Sequence, residues 1–91
     1  MEIELRFFAN FREAVGQKTI QREYDNDGLQ AGDVLRQLPE EFPGMDLFED
    51  GELREYLTIL RNGTDITHLD GLETTLADGD ELSIFPPVAG G

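Results

Sequence analysis

Asp78-Gly79-Asp80-Glu81-Leu82-Ser83-Ile84-Phe85-Pro86-Pro87-Val88-Ala89-Gly90-Gly91 is the stretch from which the rest of the chain can be read. Asp78-Gly79 marks a turn, and Glu81 to Phe85 reads as a strand. Pro86-Pro87 stiffens the exit and forbids further sheet hydrogen bonding. Gly90 and Gly91 add no packing and are costly to order. A strand, a rigid spacer and a narrow tip describe a projecting arm. Residues 86–91 are therefore expected to form a flexible tail on a domain of residues 1–85. A tail without Cβ atoms can be threaded into another protein's active site, where its terminal carboxylate is the group presented. A carboxylate is a poor electrophile until activated as an acyl phosphate or acyl adenylate. The reading is a chain whose C-terminus is itself the reactive group. The alternative is a frayed end with no role.

A terminal strand needs neighbours. Ile3, Leu5 and Phe7 alternate with Glu4, Arg6 and Phe8, which predicts a strand with one buried face. Phe7 and Phe8 are adjacent and so point to opposite faces. Phe7 is expected in the core, and Phe8 with Phe85 on an exposed apolar patch suited to docking. Asn10 to Val15, closed by Gly16, predicts a helical turn with a glycine cap. Lys18 to Tyr24 is a second strand, antiparallel to the first. Ala31, Val34, Leu35, Leu38 and Phe42 form the stripe of a helix, with Leu29 at its start. Pro39 should end or kink it near Leu38. Met45 to Glu55 is expected as an ordered loop and Tyr56 to Arg61 as a strand. Asn62-Gly63 is a hairpin turn, followed by a short strand at Asp65-Ile66. Leu69 to Leu76 reads as a short helix or irregular turn. One main helix then covers one face of a mixed sheet of four to five strands. The simplest topology pairs the first and last strands in parallel at the centre, an α+β arrangement of β-grasp type.

Composition narrows the function. Ninety-one residues make one domain with one modest core, and 38% hydrophobic content excludes disorder. There is no apolar run of membrane-spanning length. The opening Met1-Glu2-Ile3-Glu4 lacks a basic region followed by an apolar stretch, so no signal peptide is expected. A cytoplasmic location is the expectation. Cysteine is absent, which excludes disulfides, thiolate metal sites and thiol nucleophiles. The net charge of −13 repels nucleic acid and acidic membrane surfaces. Such acidity suits either a partner with a basic surface or adaptation to high intracellular salt. A single lysine, Lys18, against six arginines favours the salt reading.

Four blocks in order carry a resemblance over the whole length. They are Ile3-Glu4-Leu5-Arg6-Phe7-Phe8-Ala9 with Phe11-Arg12-Glu13-Ala14-Val15-Gly16, then Gly32-Asp33-Val34-Leu35 through Phe42-Pro43, then Leu60-Arg61-Asn62-Gly63, and finally Asp78 to Gly91. In them the chain resembles the ubiquitin-like β-grasp sulfur-carrier family, which includes the small subunit of molybdopterin synthase and the small archaeal ubiquitin-like modifiers. The resemblance implies activation at Gly91 by an E1-like adenylating enzyme. ATP and magnesium belong to that enzyme, so no cofactor is assigned to this chain. The product is a thiocarboxylate, for molybdopterin synthesis or tRNA thiolation, or an isopeptide bond to target lysines. Gly90 would keep the tail narrow in the partner's channel. Phe85, Pro86, Pro87 and Val88 would contact partners. The molybdopterin synthase large subunit and a deconjugating protease are further implied partners. The acidity departs from bacterial sulfur carriers and suggests an archaeal halophile.

Other residues carry less. His68, the single histidine, reads as a solvated loop residue. Glu49-Asp50-Gly51-Glu52 and Asp25-Asn26-Asp27 lack calcium-loop spacing and read as solvated surface, so no metal site is assigned. Lys18 is a candidate acceptor if the chain is conjugated to itself. Without cysteine and with one histidine, no nucleophile, base and orienting group converge, so catalysis by the chain itself is set aside. The competing reading is a non-covalent β-grasp interaction module with an idle tail.

Overall fold

In the computed structural model, which describes residues 1–25 and 27–87, the alternation of Ile3, Leu5 and Phe7 becomes β1 (Glu2–Phe7). All three side chains are fully buried. After β1 come α1 (Ala9–Val15), β2 (Thr19–Glu23) and α2 (Ala31–Glu41). Then follow β3 (Phe48–Glu49), β4 (Glu52–Leu53), β5 (Thr58–Arg61), β6 (Thr64–Asp65) and β7 (Glu81–Phe85). The main sheet has the order β2-β1-β7-β5-β6. β1 pairs with β7 in parallel, Phe7 opposite Ile84, and every other pairing is antiparallel. The first and last strands thus lie side by side in the middle of the sheet, the β-grasp topology expected.

One face of this sheet meets α2. Ala31, Val34, Leu35 and Leu38 point inward and share a cluster with Ile3, Leu5, Phe7, Leu82 and Ile84. Gln30 starts α2: its carbonyl accepts from the Asp33 N–H at 3.0 Å, and its own N–H donates to the Asp33 carboxylate at 2.9 Å. This reciprocal bonding satisfies two donors that the helix itself leaves free. At the other end of α2, Glu41 accepts two hydrogen bonds from Arg22 of β2. The guanidinium holds the Glu41 carboxyl below its ordinary range. Burial pushes the neighbouring Tyr24 phenol up.

Four expectations need correction. The helix does not stop at Leu38: Pro39 lies within α2, which runs on to Glu41. Proline forfeits one bond there, but only two helical residues follow it. The Phe42 N–H then closes the last turn onto the Leu38 carbonyl at 2.8 Å. Met45 to Glu55 is not a plain loop. It contains the small hairpin β3–β4, turned at Asp50-Gly51 with φ of 54° and 83°. The strand expected from Tyr56 starts two residues later at Thr58, because Tyr56 adopts a φ of 69° that no strand tolerates. Finally, Ile66 is not in β6; it begins a 3₁₀ turn through His68. Residues 69–76 hold a second 3₁₀ turn, Gly71–Glu73.

Candidate functional site

Parallel strands end at the same edge. β1 and β7 therefore deliver Phe8 and Phe85 to one end of the sheet, just past Phe7 and Ile84. Their rings stack with centroids 4.1 Å apart and planes within 13°. Both rings are half-buried. Arg12 of α1 sits over Phe8, with its guanidinium carbon 5.9 Å from the ring centre. Its Nε donates to the Phe7 carbonyl at 3.4 Å. A flat aromatic pair with a cation on its flank is a built surface rather than two stray side chains.

The outer face changes character along the strands. Toward the other end it is polar: Arg6 lies 2.9 Å from Glu4 and 3.3 Å from Glu81. These pairs are exposed and add little stability, but they confine the apolar part of the face to the Phe8–Phe85 end. Lys18 is exposed at that same end, where its carbonyl accepts from the Phe7 N–H at 2.9 Å.

Beyond Phe85, Pro86 is buried and Pro87 is exposed. Pro86 thus packs against the folded body, and Pro87 stands at its surface. Proline suits both positions, since neither offers an N–H to leave unpaired. Val88, Gly90 and Gly91, the remaining residues expected to act, lie outside the described residues, as does the rest of the 88–91 segment.

The strand that leads to the tail is pinned at its start. The Asp80 side chain is buried and accepts from Arg61 Nε, Asn62 Nδ2 and the Ala77 N–H at 2.8–2.9 Å. Burial works to raise its pKa, but these three donors outweigh burial and hold the carboxyl below its ordinary value. Asn62 returns the support by accepting from the Glu81 N–H at 2.9 Å. The Asn62-Gly63 turn thereby does two jobs: it reverses the chain and clamps the base of β7.

His68 is exposed and takes no part in this site. What sequence reasoning missed is Tyr56. It is 81% exposed and lies beside Pro87 in a surface groove with Glu52 and Glu55. The sequence placed it in a strand, where an exposed ring draws no notice. Among the described residues no helix is long and apolar enough to cross a membrane.

The ThiS family profile matches residues 5–91. Small archaeal modifier protein 3 of Haloferax volcanii is 55% identical over 93 residues, covering the whole of both chains. The sulfur carrier protein CysO of Mycobacterium tuberculosis is 35% identical over 81 residues, covering 84% of this chain and 83% of that one. The crystal structure of SAMP1 from Haloferax volcanii superposes with a TM-score of 0.82 at 36% identity, over the full length of both. These relatives are a modifier protein and a sulfur carrier protein. A β-grasp body, an aromatic pair at the exit of its central strand and matches of this extent lead to one conclusion: the chain belongs to the ThiS family, as a ubiquitin-like protein of the modifier and sulfur-carrier kind.

Proposed function

We propose that the reactive group is the carboxylate of Gly91. An E1-like enzyme with bound ATP and magnesium would join it to the nucleotide. The carboxylate oxygen attacks the α-phosphorus, pyrophosphate leaves, and an acyl adenylate remains. Hydrosulfide attack at the acyl carbon expels AMP and gives a thiocarboxylate. Attack by a neutral lysine amine expels AMP, loses a proton and gives an isopeptide bond. Sulfur handed on in this way would serve molybdopterin synthesis, with a synthase large subunit as partner, or tRNA thiolation. Both routes are placed in the cytoplasm.

The observation that carries this reading is the junction of Phe85 with Phe8. The last strand of the sheet runs beneath an apolar aromatic pair and leaves the body at exposed Pro87. A partner that covers the pair is aligned with whatever follows Pro87. Phe8, Phe85 and Pro87 are thus the docking residues, Gly90 the slim approach and Gly91 the site. Pro86 acts from within by fixing the angle of exit.

The test is affinity capture of the tagged protein from its own cells, comparing wild type with a Gly91 deletion. Captured material is run on denaturing, reducing gels and analysed by mass spectrometry. Larger species present with wild type and absent with the deletion are expected for lysine conjugation. An oxygen-to-sulfur mass change at the C-terminus is expected for sulfur carriage. Neither signal, with identical captured partners, would leave only a non-covalent module. Trypsin leaves residues 62–91 on a target, because no Lys or Arg follows Arg61. A protease that cuts nearer Gly91 is needed for site mapping.

A further inference from the structure

Asn62-Gly63 is the one Asn-Gly pair in the chain. Glycine has no Cβ, so nothing on it shields its backbone nitrogen from the preceding asparagine side chain. Both residues are exposed, and no other part of the molecule comes within 4 Å of where a Gly63 Cβ would stand. Yet the Asn62 side chain is held at both of its polar atoms. Nδ2 donates to Asp80 Oδ1, and Oδ1 accepts from the Glu81 N–H, each at 2.9 Å. The Asn62 N–H donates to the Glu81 carbonyl, also at 2.9 Å. All three bonds run to Asp80 and Glu81, where β7 begins.

We propose that Asn62 is a self-modification site, locked while β7 is seated and open to deamidation when β7 is released. In the reaction the Gly63 backbone nitrogen attacks the Asn62 side-chain carbonyl carbon. The new carbon–nitrogen bond closes a succinimide, the bond to Nδ2 breaks, and that nitrogen leaves as ammonia, taking the Gly63 amide proton. Water then opens the ring at either carbonyl, giving aspartate or isoaspartate at position 62. The attack requires the side chain to swing over the following peptide bond, and the two side-chain hydrogen bonds prevent this. The product cannot rebuild the clamp. A carboxylate replaces the amide donor that stood 2.9 Å from the Asp80 carboxylate, so attraction becomes like-charge repulsion. Isoaspartate also routes the main chain through an extra methylene, which a two-residue hairpin turn does not accommodate. A chain whose last strand stays loose for long is thereby retired from refolding, whatever its tail carries.

The test is incubation of the full chain at mildly alkaline pH, under conditions in which circular dichroism shows it folded, with a blocked peptide of residues 60–65 alongside. Conversion at Asn62 is followed by mass spectrometry, which reads the amide-to-acid mass gain, and by an isoaspartate assay. The folded chain should convert at least about tenfold more slowly than the peptide. Asp80→Ala removes the acceptor of Nδ2 and should speed conversion about fivefold. Leu47→Ala disturbs the buried core away from the clamp and should convert like wild type. Asn62→Asp supplies the product directly and should lower the melting temperature by about 8 °C. Combining it with Asp80→Asn sets a donor against an acceptor again and should recover most of that loss. Equal rates in chain and peptide, or Leu47→Ala converting as fast as Asp80→Ala, would overturn the lock. An Asn62→Asp chain that melts with the wild type, or is not rescued by Asp80→Asn, would overturn its consequence.

Discussion

Two hairpins in this molecule share a turn and differ in everything else. Asp50-Gly51 joins β3 to β4, and Asn62-Gly63 joins β5 to β6. Both turns have two residues with positive φ, the geometry that a two-residue connection demands. The second hairpin is the end of the main sheet, and its Asn62 clamps Asp80 and Glu81. The first forms a separate two-stranded sheet. It is tied to the body at its base, where Met45 and Leu47 are fully buried, and by Arg36 of α2 over the Phe48 ring at 5.6 Å. The lesson is that local turn chemistry makes a hairpin, but tertiary partners decide whether it is scaffold or surface. The scaffold hairpin holds the strand that leads to the tail; the surface hairpin lines the groove beside Pro87.

That contrast can be broken at its root first. Leu47→Ala removes a fully buried side chain beneath the surface hairpin and should cost about 3 kcal/mol in chemical denaturation. A cost under about 1 kcal/mol would mean that the segment does not belong to the core. The clamp comes next. Asp80→Ala should cost about 2 kcal/mol, since it strands Arg61 and the Ala77 N–H. Because the folded Asp80 carboxyl lies below its ordinary value, its stabilisation is complete above the unfolded pKa. It is lost as pH falls through the folded value. Acid titration below about pH 4 should therefore show a stability decline that Asp80→Asn flattens. An unchanged acid limb would remove Asp80 from the account. The smallest effect compares the turns directly. Gly63→Ala and Gly51→Ala each force alanine into φ above +80°, which costs about 1 kcal/mol. Gly63→Ala should lower the global melting temperature. Gly51→Ala should act mainly by local opening, read as faster amide exchange confined to residues 48–53. Equal global effects would erase the distinction.

Much of this was legible in the sequence because it rests on strong periodic signals. The alternation in residues 3–7, the stripe from Ala31 to Leu38 and the Asn62-Gly63 turn each name one structure. The parallel pairing of β1 and β7 followed from having two apolar strands at the two ends and one helix to cover them. The surface hairpin was hidden because its strands are two residues long and crowded with acids, although Asp50-Gly51 carries the same signal as Asn62-Gly63. Pro39 misled because its cost depends on how many helical residues follow it. Tyr56 was hidden because backbone sign cannot be read from a β-favouring side chain. The Phe8–Phe85 contact needed the register of the parallel pair, which places the two rings side by side.

The central place of β7 has a consequence for how the protein is made. Of the strands described, β7 is the last to leave the ribosome, yet β1 and β5 both require it as their neighbour. Closing contacts over so great a sequence distance is slow and comes late. A nascent chain that stops short of Phe85 lacks the middle of its sheet and the centre of its core. Truncated products would be marked for destruction by their own unfolded state. A chain cut before β7 has neither the core nor the Phe8–Phe85 pair, whereas one cut just after Pro87 would keep both.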